Sequence, residues 1–357
     1  MIHDLGWLCC TNNTPTVFSS TRKPPSRAVF SVQWWYMKTP NTKDSRNDTK
    51  HKQQYKVTNW SEYNKALKQR GSVSLWIPDD IQQWWYAAEG RERYSDAAIE
   101  VMTTLKAVYR QAWRQSEGMA RSIFEAAGLP LDVPDYATCS RRAGTSTPTV
   151  RVSPAKDAVT IIPDSTGTKI TGDGEWKTRK HGPSKHRRWK KIHLSVNADG
   201  EIIAEETTDN DVHDADVIHD LLTREGEEIA AFAGDGAYDR AVVYAALREH
   251  GVTDIRIPPR KDAKVWYHGN ITGPPHPRDE NLRAIRRSTR RSWKRHSGYH
   301  IRSLSETAMY RFKTTFGERL ASRKHENQCT EVSTKCRVLN VFHSLGMPES
   351  VAVAGSP

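Results

Sequence analysis

Apolar and polar positions in the second half of the chain are spaced as in alternating strands and helices. Continuous or alternating apolar runs predict strands at 159–167, 192–196, 201–208, 229–235 and 254–257. Apolar residues three and four apart predict helices at 215–224, 238–250, 297–313 and 330–345. This order predicts an α/β domain over residues 157–348. Residues 260–297, which contain many Pro, Arg and Trp residues, predict an irregular basic loop region.

Helical spacing also dominates residues 56–145. It predicts helices at 60–71, 96–112, 116–127 and 135–142, with a short strand at 73–77. The last helix ends in Arg141 and Arg142, and two interpretations stay open. The region is either a helix-turn-helix-like DNA-binding domain that presents both arginines to DNA, or a small helical bundle with a basic end.

The remaining segments lack periodicity. Residues 146–156 are rich in Ser, Thr and Pro and predict a linker, and residues 349–357 predict a C-terminal tail. Residues 1–55 show no sustained apolar period and predict a mobile N-terminal tail. Met37 precedes an ordinary polar sequence, so we expect an alternative translation start there, with 1–36 as an upstream artefact.

Charge narrows the choice of partner. Lys and Arg outnumber Asp and Glu by 54 to 42, a net charge of +12. A protein that binds a polyanion needs such an excess, whereas an enzyme for small neutral metabolites does not. The five cysteines include no Cys-x-x-Cys pair, and their odd count argues against a disulfide framework, which predicts a reducing cytoplasmic location. No apolar run reaches the ~18 residues of a membrane span. Nucleic acid is therefore the expected partner, and no membrane.

Three acidic residues occupy positions that an α/β fold can bring together. Asp164 and Asp235 each end a predicted strand, and Glu306 lies on the predicted helix 297–313. Adjacent strands would set the two Asp carboxylates side by side, and a helix across the sheet could add the third. Such carboxylates hold pairs of divalent ions about 3.5–4 Å apart, which activate a water or a 3′-hydroxyl for in-line displacement at phosphorus.

Cations and a phenol accompany these acids. Helical spacing places Tyr299, Arg302 and Lys313 on the face of Glu306, which suits a metal ion beside phosphates. The alternative is a solvated helix whose Arg302 and Glu306 form an i,i+4 pair worth a few tenths of a kcal/mol. A separate basic stretch with two tryptophans suits tracking of a DNA backbone, or is a solvated hairpin; its candidate DNA-binding residues are Lys177, Arg179, Lys180, Lys190 and Lys191.

The combined motifs carry a family resemblance. Tyr299, Arg302, Glu306 and Lys313 fill a Tyr-x2-Arg-x3-Glu-x6-Lys signature. Further matching blocks lie at 63–71, 134–142, 164–167, 172–177, 234–239 and 339–348. The chain thereby resembles, over residues 56–350, the DDE transposases of bacterial insertion sequences, of the insertion-sequence-five type.

The resemblance implies a ribonuclease H-like fold and a catalytic triad of Asp164, Asp235 and Glu306 that holds two Mg²⁺ ions, with Mn²⁺ as a substitute. It implies that Tyr299, Arg302 and Lys313 handle DNA phosphates near the cut. The implied partners are double-stranded DNA, as terminal inverted repeats and target, and further copies of the chain in a homodimer or larger assembly. The expected location is the bacterial cytoplasm, at the nucleoid.

Two features depart from the family pattern. Pro163 stands where the family has an aliphatic residue, and proline fits poorly in a central strand because it removes a ladder hydrogen bond. This raises the alternative of an inactive copy that only binds DNA. The 71 residues from Asp235 to Glu306 (306 − 235) leave little room for a β-rich insertion, so end recognition is expected from the N-terminal helices and basic loops.

Overall fold

The computed structural model describes residues 54–91, 93–145, 158–171, 189–222, 228–267 and 275–353. Its strands are β1 Gln54–Val57, β2 Val159–Ile170, β3 Trp189–Val196, β4 Ile202–Asp209, β5 Ile229–Phe232, β6 Asp254–Ile255, β7 Arg319–Leu320 and β8 Ser350–Val353. Its α-helices are α1 Trp60–Gln69, α2 Ile81–Trp84, α3 Asp96–Val108, α4 Trp113–Ala126, α5 Tyr136–Arg142, α6 Ile218–Leu222, α7 Ala241–Glu249, α8 Pro277–Arg287, α9 Arg290–His296, α10 Ser303–Phe316 and α11 His325–Ser344. None of these helices is long and apolar enough to span a bilayer. Residues 1–53 of the predicted tail 1–55 and the linker 146–156 lie outside the described residues, whereas Gln54 and Tyr55 belong to strand β1 and not to a tail.

Strand β2 lies at the centre of a mixed sheet with the order β4-β3-β2-β5-β6. β2, β3 and β4 pair antiparallel, whereas β5 pairs parallel with β2, and β6 pairs parallel with β5. β7 pairs with the far end of β2. Helices cover both faces of the sheet, an arrangement that fits the expected ribonuclease H-like domain.

Alternation along β2 sends side chains into two different cores. Ile161 packs on one face with Phe232 and helices α6 and α7. Ile162 packs on the other face with α10 and α11. Helices α3 and α4 join this second core through Met102 and Phe124, so the N-terminal helices are not a separately packed unit. Strand β1 also pairs antiparallel with β8 near the C-terminus.

Two local predictions are wrong. Residues 73–77 are not a strand: Val73–Trp76 forms a 3₁₀ turn that buries Trp76 against Phe342, and no neighbouring strand pairs with it. The predicted loop region 260–297 contains α8 and α9. Both begin at side-chain N-caps, since His276 accepts a hydrogen bond from Arg278 N, and Thr289 accepts one from Ser292 N.

Pro163 lies where the pairing of β2 with β5 ends. In β2, Val159 N donates to a carbonyl beside β5, and the carbonyl of Ile161 accepts from Ala233 N, so odd-numbered residues direct their backbone groups to that side. Pairing with β5 ends at Ile161, and pairing with β7 begins only at Lys169. The proline therefore removes at most one hydrogen bond, at the end of this ladder, where proline is tolerated.

Candidate active site

Asp164 lies inside β2 rather than at its end. Pairing with β3 continues to Lys169, so the strand extends beyond the predicted end at 167. Asp164 shares a sheet face with Ile162, the face that α10 covers, and its Oδ1 accepts from Ser165 N at 3.0 Å. Burial raises the pKa of Asp164; nearby Arg302 opposes this shift, and Asp235 and Glu306 add to it.

Asp235 follows β5 and caps the next turn. Its Oδ1 accepts from Ala237 N at 2.8 Å at the start of the 3₁₀ turn Gly236–Tyr238. The preceding Gly234 is required by space, since a Cβ there would lie 2.8 Å from the Phe232 ring. β2 and β5 are neighbours, so the prediction that Asp164 and Asp235 stand near each other on adjacent strands is confirmed.

Arg302 gathers all three acids. Residues Tyr299–Arg302 form a 3₁₀ turn, and α10 begins at Ser303, which places Glu306 in its first turn. Arg302 Nη1 lies 2.6 Å from Glu306, and its Nη2 lies 3.4 Å from Asp164 and 3.8 Å from Asp235. Three carboxylates thus converge on one guanidinium, leaving a net charge of about −2. The i,i+4 pair of Arg302 and Glu306 therefore forms, but within this larger cluster and not on a solvated helix.

The acid cluster has the donor chemistry of a divalent-ion site, although a cationic side chain occupies its centre. Carboxylate oxygens are the ligands that Mg²⁺ and Mn²⁺ prefer. The Asp235 and Glu306 side chains are 40% and 59% exposed, so ions can reach them. In the described parts of the chain, no three His, Cys, Asp or Glu residues are arranged to hold a metal ion. Coordination by all three acids therefore requires Arg302 to release them.

Tyr299 and Lys313 flank the cluster differently. Tyr299 is buried with its ring 5.7 Å from Trp293 and 4.8 Å from Lys294 Nζ. Burial raises the pKa of its phenol; the charge of Arg302 opposes this shift, and the three acids add to it. Lys313 lies on α10, two turns after Glu306.

Several predicted DNA-binding cations are engaged elsewhere. Lys190 is buried and lies 2.8 Å from Asp209, and Lys191 lies 2.7 Å from Asp214, so neither presents a solvent-facing charge as predicted. Arg142 is also buried and pairs with Asp96 at 2.5 Å, which rules out its predicted role on a recognition helix. Arg141 is exposed at the end of α5. Lys177, Arg179 and Lys180 lie outside the described residues.

Sequence reasoning missed a buried network beside the site. Asp239, at the end of the Gly236–Tyr238 turn, lies 2.7 Å from Arg278 Nε. Arg278 Nη1 donates to the Lys264 carbonyl at 2.8 Å, and its guanidinium stacks 4.1 Å from the Trp266 ring centre. The network thereby anchors the turn that Asp235 opens. Asp239 belongs to the quoted block 234–239, but its partner is 39 residues away and no periodicity links them.

Comparison with known families agrees with this geometry. One family model, described as a transposase DDE domain, matches residues 155–341, and a second model with the same description matches residues 68–173. The first match covers more than half of the chain, including Asp164, Asp235 and Glu306. The chain therefore belongs to the transposase DDE domain family, whose members are enzymes that act on DNA.

Proposed function

We propose that this protein is a metal-dependent transposase that cuts DNA at the ends of its own insertion element. It then joins the freed 3′-hydroxyl to target DNA. The observation that carries this proposal is the convergence of Asp164, Asp235 and Glu306 on a single cation. Three acids around one fixed positive charge leave unmatched negative charge, which divalent ions can neutralise.

The three carboxylates would hold two Mg²⁺ or Mn²⁺ ions, which when bound would supply an activated nucleophile and neutralise charge at the reacting phosphate. Released from the acids, Arg302 grips a phosphate through paired N–H donors, and Lys313 adds a point charge. The phenol of Tyr299 donates a hydrogen bond at the same phosphates, because burial keeps it protonated. The enzyme is of the insertion-sequence-five type and acts as a homodimer or larger assembly on paired double-stranded ends.

Purified protein, DNA carrying the terminal inverted repeats, a target plasmid and Mg²⁺ test this function. Wild-type protein should yield joined products that Asp235→Asn abolishes. Cutting without joining would instead identify a related nuclease, and binding at the ends without any Mg²⁺-dependent nicking would identify an inactive copy. Persistence of joined products in Asp235→Asn would refute the assignment of the acids.

A further inference from the structure

Helix α9, Arg290–His296, has a charge distribution that is unfavourable for a helix. It carries Arg290 and Arg291 in its first turn, where the helix dipole disfavours cations, and it contains no acidic residue. Arg291 and Arg295 stand four residues apart with like charges, which costs a few tenths of a kcal/mol. The Thr289 cap and the buried Trp293 hold the helix in place nonetheless.

The cations of this region divide into two groups. Arg283, Arg286 and Arg290 contact protein groups, namely Glu280 and the carbonyls of residues 263 and 259. Arg291 and Arg295 are exposed, and among the described residues neither takes part in an ion pair. With Lys294 between them, they form a basic face of α9 that pairs with no acidic residue in the described part of the chain.

The basic face leads directly into the candidate active site. Trp293 and Lys294 both contact the Tyr299 ring, at 5.7 Å and 4.8 Å. Gly298, at φ 66°, reverses the chain between α9 and the turn that carries Arg302. A strand whose phosphate lies at Arg302 can therefore continue along this face. Cleavage must precede joining, so the first duplex in the site is the element end.

We infer that Arg291, Lys294 and Arg295 bind the phosphate backbone of the element-end duplex beside the bond that is cut. The inference rests on the proposed function and adds a contact surface to it. Arginine and lysine on one exposed face address phosphates rather than bases, so this contact strengthens binding and sets register without reading sequence.

The salt dependence of DNA binding tests this surface. Asp235→Asn protein, which leaves the DNA uncut, is titrated with an inverted-repeat duplex and a scrambled duplex at several salt concentrations. Loss of two phosphate contacts in Arg291→Ala/Arg295→Ala should make the negative slope of log K against log salt shallower by about 1.8 units on both duplexes. Arg291→Lys/Arg295→Lys keeps the charges and should keep the slope. Arg323→Ala/Lys324→Ala, an equal charge loss at exposed positions just before α11, is the control.

An unchanged slope in Arg291→Ala/Arg295→Ala would overturn the inference, as would an equal change in the Arg323→Ala/Lys324→Ala control. Binding of the basic face to anionic lipid vesicles but not to either duplex would overturn it too. These failures leave the proposed function standing if protein with Asp235 intact still cuts and joins. Absence of Mg²⁺-dependent cutting by that protein would instead refute the proposed function.

Discussion

Two arginines contact opposite ends of the turn at 235–239 and meet their carboxylates in different ways. Arg278 is buried against Asp239, donates to a backbone carbonyl and stacks on Trp266. Its neighbour Asp279 accepts from two backbone N–H groups. Arg302 instead faces three acids at 2.6–3.8 Å, and its buried Nε has no hydrogen-bond partner in the described structure.

The difference separates a structural ion pair from a site arranged for chemistry. The Arg278 network satisfies its charges with protein groups in a closed interior, so it holds a turn in place. The Arg302 cluster keeps an excess of negative charge at a partly exposed surface, which is unfavourable unless further cations arrive. Arg278 therefore fixes the turn that follows Asp235, and Arg302 leaves the Asp235 carboxylate partly exposed to ions from solution.

The largest expected effect is a loss of activity when an acid of the Arg302 cluster is substituted. Asp164→Asn should lower the rate of DNA cleavage at least 1,000-fold, about 4 kcal/mol, because it removes a charged metal ligand. Its thermal stability should stay level or rise, since one repelling charge is lost. Exposed Asp199→Asn is the matched control and should cleave normally. Retention of cleavage by Asp164→Asn would place the chemistry elsewhere.

A substitution in the buried Arg278 network should instead lower the stability of the protein. Arg278→Ala leaves Asp239 buried and unpaired, so it should reduce the free energy of unfolding by about 3–5 kcal/mol. Arg302→Ala should cost no more than about 1 kcal/mol, because two of its three acids, Asp235 and Glu306, reach solvent. Denaturant unfolding compares both with exposed Arg248→Ala, expected to change stability by about 0.5 kcal/mol or less. Equal losses for Arg278→Ala and Arg302→Ala would erase the distinction.

A second buried cluster, around Glu331, allows a pH test of whether charges paired inside the protein stabilise the fold. Glu331 is buried, which alone would raise its pKa, but Lys335 at 2.6 Å, Lys106 and backbone donors lower the pKa to about 2. A folded-state pKa below the unfolded value of ~4.3 stabilises the protein above that value, and the gain disappears as pH falls toward 2.

Glu331→Gln should therefore lower the free energy of unfolding by about 3 kcal/mol at pH 7. Wild type and variant should converge between about pH 4.3 and pH 2. Unfolding curves across this range measure the difference, with exposed Glu249→Gln as the control. A difference that is constant with pH would show that the charge of Glu331 is not what stabilises the cluster.

The smallest effect concerns Pro163. Its missing N–H lies where the β2–β5 ladder ends, so Pro163→Val should add at most one ladder hydrogen bond. Loss of the proline's restriction on the unfolded chain should cost at most about 1 kcal/mol, and the cleavage rate should not change. A large gain of activity in Pro163→Val would instead indicate that Pro163 had inactivated this copy.

Much of the fold and the acid cluster could be predicted because their signals are local or periodic. The strands around Ile162 and Leu194 are apolar enough to predict a sheet, and neighbouring strands bring Asp164 near Asp235. The end of β2 could not be predicted, since Gly167 reads as a turn, whereas pairing with β3 extends the strand. Tertiary pairing overrode the local signal.

Whether an individual cation pairs with an acid was less predictable. Lys190, Lys191 and Arg142 read as basic surface, yet each pairs with an acid distant in sequence. Charge composition cannot tell a paired cation from an unpaired one. Helices α8 and α9 were missed because their mean composition is strongly polar and their caps, His276 and Thr289, lie among proline and arginine residues.

Binding of Mn²⁺, followed by its electron paramagnetic resonance signal, tests the central claim most directly. Wild-type protein should bind Mn²⁺, and Asp164→Asn/Asp235→Asn/Glu306→Gln should lose that binding. Arg302→Ala should bind Mn²⁺ more tightly, because no guanidinium competes for the acids. Equal Mn²⁺ binding by the wild-type and triple-variant proteins would contradict the claim that these three carboxylates form the metal centre.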